Sequence, residues 1–526
     1  MTVQVREHQK TPLWRNATVL KWSAQIFVLL VVVAVFVTLA QTAAANFNRS
    51  NISFGWEWLS DPTGVQIREG IDTSPDSGVR ALTVGIINTL RVAISGIIVA
   101  TILGTIIGVA RLSSNWIVNR IAVVYIETIR NIPLLVQIFF WSALAIGLPD
   151  LTVDDVGSYW FKASNKGFAL AWIFPDGGFW PWLIFVVVGV IVARYIAKRR
   201  KKYQEDTGNP GHGGRWATLT VAVFAIVGWF AWPIFGWLEP VFDWVSDFVG
   251  GLPPILVPII IAIAAIAGAV LWIRNFFESR RTPAGFGKMT DDDWFRVIFI
   301  GFSGVAVALL AFAVSGFEVK TVSGEVLTVA ELIVDGFSNF FGWLASRFNT
   351  DNYNTVVEGV RSGGPLVFEK PEVILKGGAE IPQYGDTGLV ITIPFFAIWT
   401  GVTLYTAAFI AEIVRGGILA VPKGQTEAAM ALGLKRSQYL RQIILPQAFR
   451  IILPPLGNQY LNLFKNTSLG LAVAYADIVA VGTTIINQTG QSLPVVTIWM
   501  AFFLTGSLII SGIVNNFNRR MQLVER

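Results

Sequence analysis

The chain is 526 residues long, 53% apolar and only 14% charged, with a net charge of +6 and a mean hydropathy of +0.58. A soluble chain of this length carries about twice that charged fraction. Here the apolar residues gather in runs of about 20, enough to cross a bilayer, so the expected fold class is an all-α, polytopic transmembrane protein. The lack of cysteine excludes a disulfide framework and a thiolate metal site. His8 and His212, the two histidines, lie in polar segments and argue against a metal centre, and the basic residues flank apolar runs, which argues against nucleic acid.

Residues 1–21 carry Arg6, Lys10, Arg15 and Lys21, and an apolar run follows over 22–45. The long basic lead reads as a first span running outward rather than a cleaved signal peptide, although Ala43-Ala44-Ala45 would suit cleavage. A polar periplasmic loop completes a first segment, 1–80. Span two, 81–110, contains Gly104-x-x-x-Gly108, a pattern for close helix packing. Span three, 121–148, sets Glu127 and Arg130 three apart, where they can pair, and Pro133 where it should kink the helix. GIINTLRVAIS (85–95) and YIETIRNIPLLVQ (125–137) together resemble the start of the permease core of polar amino-acid importers. On that resemblance 81–149 is the first part of the core.

The core pattern then stops for about 235 residues. Four apolar runs, 179–197, 217–237, 252–273 and 295–317, make 150–317 an insertion with about four spans. Basic residues follow the first run (Arg194, Lys198, Arg199, Arg200, Lys201, Lys202) and the third (Arg274, Arg280, Arg281, Lys288), whereas the connection 239–251 has no Lys or Arg. Positive charge marks the inner side, which places the acidic segment 318–386 outside. Within it, 328–348 is amphipathic, and Glu331 and Asp335 argue for an interfacial helix rather than a span.

The resemblance resumes over 387–526 with AAFIAEIVRGGILAVPKGQ (407–425), where Phe409 stands at a frequent family Tyr. EAAMALGLKRSQYLRQIILP (427–446) then reads as two short helices at an angle. Thr426 suits an N-cap, Ala428 and Ala429 are strong helix formers, and Gly433 suits a left-handed stop before basic Lys435, Arg436 and Arg441. Glu427-Ala428-Ala429, Gly433 and Ile443-x-Leu445-Pro446 together resemble the EAA motif of ATP-binding cassette (ABC) importer permeases. That resemblance implies a type I importer core in which Glu427, Ala428, Ala429 and Gly433 couple to a separate ATPase. KNTSL (465–469) resembles another family segment, and a last span, 493–514, brings the count to about ten.

Polar groups inside apolar spans are costly in lipid and tend to face the bundle interior. Thr89, Arg91, Gln459, Asn462, Lys465, Asn466, Thr467 and Ser468 are therefore the candidate substrate path, with interhelical hydrogen bonding as the structural alternative. The chain has no phosphate loop: after Gly287-Lys288 comes Met289, and Thr282 stands where the first Gly is needed. The expected function is a non-catalytic permease subunit of an ABC importer for L-amino acids, polar or acidic ones such as Glu, Gln, Asp and Asn. The resemblance implies an ATPase dimer that binds ATP and Mg, a second permease subunit that is a paralogue, a periplasmic amino-acid-binding protein, membrane lipid around the spans, and the bacterial inner membrane. The competing reading is an ion-coupled secondary transporter of amino acids, although no clear repeat or midplane acid pair supports it.

Overall fold

The computed structural model describes scattered positions between 25 and 42, then 56–62, 64–282, 285–286, 289–320, 325–348, 356–357, 360–361, 364–376 and 381–521. The expected first span, 22–45, falls largely outside the described residues.

Ser77 starts helix α1 (Gly78–Ala110) by accepting from the N–H of Arg80 at 3.3 Å. Its 33 residues rise about 50 Å at 1.5 Å each, more than a hydrocarbon core requires. Ile94, Ile98, Ile102 and Ile106 form an exposed stripe at a spacing of four. The opposite face is small: a Cβ on Gly104 would stand 2.7 Å from the carbonyl oxygen of Ala407, and one on Gly108 2.6 Å from that of Ala411. The expected packing face is thus real, and it receives the most buried of the long helices.

Pro133 does more than kink the third span. The chain forms two helices, α2 (Trp116–Asn131) and α3 (Leu134–Ile146), which meet at 106°. Pro133 has no N–H to donate and pushes Ile132 into an extended conformation. Buried Gln137 repairs the break, donating to the carbonyls of Ile129 (2.8 Å) and Ile132 (2.9 Å). The expected Glu127–Arg130 pair is replaced: Arg111, at the end of α1, lies 3.7 Å from Glu127, and Arg130 stands 5.0 Å from the Phe409 ring.

Six helices follow outside the core: α4 (Phe179–Thr207), α5 (Gly213–Ala231), α6 (Leu238–Gly250), α7 (Leu256–Ser279), α8 (Asp291–Ser315) and α9 (Val329–Ser346). They pack in pairs, α4 on α5, α7 on α8 and α6 on α9. Ser246 and Ser338 donate reciprocally to each other's carbonyls across the last pair, at 2.8 and 3.0 Å. Helix α6 replaces the expected loop 239–251. Helix α9 is the expected amphipathic helix, started by a capping box of Thr328 and Glu331.

Between insertion and core lies a neck of short strands. Phe161–Ser164 pairs with Gly167–Leu170, which pairs with Leu389–Ile391. Gly157–Ser158 pairs with Glu372–Lys376, and Trp172–Pro175 with Leu366–Glu369. All are antiparallel, so the two ends of the insertion are stitched side by side. Leu389–Ile391 leads into α10 (Ile393–Leu419), capped by Thr392.

After α10 come α11 (Lys423–Ala431), α12 (Arg436–Tyr439), α13 (Leu445–Asn466), α14 (Ile478–Thr489) and α15 (Ser492–Met521). Among the described residues, seven helices are long and apolar enough to cross a membrane, and nine spans result if each of two bent helix pairs counts as one.

Candidate functional site: a coupling knob, an ion-pair lock and a polar helix face

Pro422, with its fixed φ and missing N–H, begins the knob. Gln425 N–H bonds back to its carbonyl at 3.0 Å, and α11 starts at Lys423. Thr426 is therefore inside the helix, not its cap. Glu427 and Ala428 are exposed, whereas Ala429 is buried. Leu434 N–H reaches the carbonyl of Ala429 at 3.2 Å, Gly433 N–H reaches that of Met430 at 2.9 Å, and Gly433 sits at φ +72°. That is a Schellman stop, and it aims the following residues along a new axis.

The second helix of the knob continues into the membrane. Pro446 would clash with the carbonyl four residues earlier in an α-helix, and a π-helical stretch, Leu440–Ile444, relieves this between α12 and α13. A push on the knob therefore reaches α13 along one continuous helical rod.

The motif residues preceding the knob form a lock. Glu412 is shared by Arg111 and by Arg415, whose Nη2 is 2.9 Å away. Tyr125 donates to the carbonyl of Leu404 at 2.8 Å. Helices α1, α2 and α10 are thus tied at the knob end by Arg111, Glu127, Glu412 and Arg415. Sequence reading passed over Glu412 and Arg415, although both stand in the quoted motif three residues apart; the partner that makes them a lock, Arg111, is about 300 residues away.

The candidate path residues separate. Asn462 and Lys465 are exposed on one face of α13, with exposed Asn458 one turn earlier, and Gln459 and Asn466 are half-buried beside them. Thr467 donates to the carbonyl of Phe464 at 2.7 Å and Ser468 to that of Lys465 at 2.9 Å. Thr89 is apart from this face: its hydroxyl donates to the carbonyl of Gly85 (2.8 Å) and accepts from Ile478 N–H (3.0 Å). Its neighbour Asn88 donates to the carbonyls of Glu69 (3.1 Å) and Ala476 (2.9 Å), and Tyr475 O–H donates to the carbonyl of Asn88 at 2.8 Å. The Asn88-Thr89 pair clamps the turn 474–477, in which Ala474 holds φ +58°. Arg91 stands 5.6 Å from the Phe395 ring.

The same clamp holds a plug at the neck end, made by Trp58, Val65 and Ile67 packed on α1 and α14. Glu69 accepts from the hydroxyl of Thr392, and burial pushes its carboxyl above the usual carboxylate range despite that bond and the Arg91 charge.

A lipid-crossing bundle with an exposed knob and a polar helix face suits a transport subunit driven from outside its own chain. The family described as binding-protein-dependent transport system inner membrane component matches residues 373–523. The chain is 32% identical over 505 residues to the general L-amino acid transport system permease protein AapQ of Rhizobium johnstonii, covering 95% of this chain and 92% of the other. It is 31% identical over 509 residues to the glutamate/glutamine/aspartate/asparagine transport system permease protein BztB of Rhodobacter capsulatus, covering 95% and 93%. A solved amino acid ABC transporter with histidines matches 25% of this chain and 61% of its own at 32% identity, with a TM-score of 0.23. The chain belongs to this family of amino-acid ABC transporter permeases. It is a non-catalytic, multi-pass membrane subunit of a transport complex with an ATPase and a binding protein.

Proposed function

We propose that the chain carries polar or acidic L-amino acids across a bacterial inner membrane, along the Asn458–Asn462–Lys465 face of α13. The observation that supports this most directly is the exposure of that face on α13, which with α14 forms a bent helix pair apolar enough to enter the membrane. Amide and ammonium groups are costly in lipid, so the face belongs on water or on another protein. A second permease, a paralogue, closes the path opposite it. Lys465 attracts the carboxylate common to α-amino acids, the more strongly as the local dielectric falls. Gln459, Asn466, Thr467 and Ser468 shape the surrounding helix turn, and Thr89 holds the later turn 474–477 that follows it. The relatives' names support polar or acidic side chains, which the carboxylate contact alone does not select.

At the other end, Glu427, Ala428, Ala429 and Gly433 form the contact with one subunit of an ATPase dimer, which binds ATP and Mg. The basic residues toward the C-terminal ends of α4 and α7 support a cytoplasmic knob and a periplasmic neck with 318–386, where the binding protein delivers substrate.

Lys465→Met tests the path. In proteoliposomes holding the complete complex, amino-acid uptake should fall at least tenfold while ATPase and permease still co-purify. Unchanged uptake would remove Lys465 from the path. Uptake of sugars or peptides with amino acids ignored would overturn the substrate class.

A further inference from the structure

The neck ribbon made by Trp172–Pro175 and Leu366–Glu369 rises from the ends of two membrane helices. Three residues separate Pro175 from Phe179, the first residue of α4. At the base of the other strand, a Cβ on Gly364 would lie 3.8 Å from Cζ2 of Trp229, in the last turn of α5. Strands climb about 3.4 Å per residue, so Ile173 and Phe368, two residues above the base pair Pro175–Leu366, stand about 7 Å beyond it. A headgroup layer is about 5–8 Å thick on each side of the hydrocarbon.

The side chains at that height are apolar and uncovered. Phe368 and Ile173 are directly paired, so they share one face of the ribbon. Trp160 joins them: its carbonyl accepts from Ala171 N–H at 2.8 Å, and its ring lies 5.3 Å from that of Phe368. Trp160 is 67% exposed, Ile173 54% and Phe368 50%. Lys370, next but one to Phe368, places its ammonium 4.6 Å from the Trp160 ring.

We propose that Trp160, Ile173 and Phe368 seat the neck in the phospholipid headgroup layer, with Lys370 on a lipid phosphate. Height is the first argument for lipid as the occupant. Continuity is the second: exposed Phe230 in the last turn of α5, beside the Trp229 that faces the ribbon's base, and exposed Ile234 and Trp237 just beyond it continue the apolar surface of α5 past its end. Chemistry is the third, because an indole with an apolar body and a polar edge, beside a cation, suits the boundary between acyl chains and phosphates. Seated in this way, the neck stays against the bilayer, and the inserted helices stay beside the core.

The chain has no cysteine, so single probes are straightforward. Ile173→Cys, Phe368→Cys and, as an exposed control, Asp154→Cys would each carry a bimane in the complete complex. Reconstitution would use nanodiscs with nitroxide lipids labelled at the headgroup or mid-chain. The probes at 173 and 368 should be quenched several-fold more by the headgroup nitroxide than the probe at 154. Lys370→Glu should reduce that difference in discs containing phosphatidylglycerol. If the probes at 173 and 368 ignore both nitroxides and answer to a water-soluble quencher as the control does, the proposal fails. It also fails if they become shielded only on addition of the binding protein, which would assign the patch to that protein.

Discussion

Two kinds of membrane helix share this chain. In the most apolar stretch of α10, 56% of the residues are buried, whereas in α7 and α8 the share is 11%. The central core helices α1 and α10 are specified by several neighbours: Gly104 and Gly108 admit the backbone of α10, Gly401 admits Ile138, and Gly417 admits Ile452. Helix α15, 11% buried in its most apolar stretch, lies at the core's outer edge and is as exposed as the inserted α7 and α8. The inserted helices use the same device within pairs, Gly189 and Gly228 admitting Phe224 and Phe185 between α4 and α5 and Gly304 admitting Ala269 between α8 and α7, but each has one close partner and a wide apolar face left outward. Packing between helices in lipid rests on small residues that let backbones approach, because hydrocarbon already satisfies large apolar ones. Sequence in α1 and α10 is therefore constrained on several faces, and that of each inserted helix mainly on the one face that meets its partner.

Gly108→Val attacks this difference most directly. Its new Cβ would meet the carbonyl oxygen of Ala411 at 2.6 Å, a backbone atom that cannot rotate away. Overpacking of this kind costs about 1–3 kcal/mol, so the core should lose thermal stability in detergent and uptake should be abolished. Gly268→Val in α7 has nothing within 4 Å of the added atom and should leave both unchanged. Equal melting temperatures for the two variants would dissolve the distinction.

Gly433→Val separates the core from the proposed coupling knob. At φ +72° a side chain costs about 1–2 kcal/mol, and no neighbour offsets it. The membrane bundle should keep its melting temperature while the ATPase no longer co-purifies and uptake falls by an order of magnitude or more. Near-normal uptake would show that the Schellman stop does not set the knob's angle.

Legibility followed range. The knob, the Gly104–Gly108 face, Pro133 and the four inserted apolar runs were readable because their physics acts over a few residues. Thr426 was misread because Pro422, four residues upstream, is the stronger helix start. The neck strands escaped notice because each is two to five residues long and most pair across the whole insertion, as Gly167–Leu170 does with Leu389–Ile391. Helix α6 was hidden by its mixed composition. The lock around Glu412 and the clamp made by Asn88 and Thr89 depend on partners 300 or more residues away, such as Glu412 for Arg111 and Ile478 for Thr89, and local reading cannot pair them.

The neck itself should lose stability in acid. Asp155 accepts from Lys162, and that bond, with the Thr152 N–H, holds its carboxyl down at about 2. An acid whose folded pKa is depressed contributes stability that is present above its ordinary range and lost as pH falls toward the folded value. The partnership raises Lys162 as well, so that contribution is present below the ordinary lysine range and lost as pH rises through the raised value. Hydrogen exchange over Phe161–Ser164, corrected for its intrinsic rate, should be level near neutrality and quicken below about pH 4. Asp155→Asn should flatten that acid limb. An acid limb of the same size in the variant would assign the effect to another group.

The smallest effect on the core is expected from the largest change. Pro175 and Leu366 are directly paired partners on antiparallel strands, so their ends are close enough for a two-residue Asn-Gly turn to join them in place of residues 176–365. The excised stretch enters and leaves on the same side, because its ends pair in one ribbon, and an even number of crossings is lost. The remaining spans therefore keep their orientation. None of the ion pairs of the lock, the clamp on 474–477 or the contacts of Gly104 and Gly108 involves a residue of 176–365. The shortened chain should insert, bind its ATPase and show the same drop on Gly108→Val as the full chain. If it fails to accumulate, while a chain with the same turn and a restored insertion does accumulate, the inserted helices are part of the core's folding and not a lipid-facing addition to it.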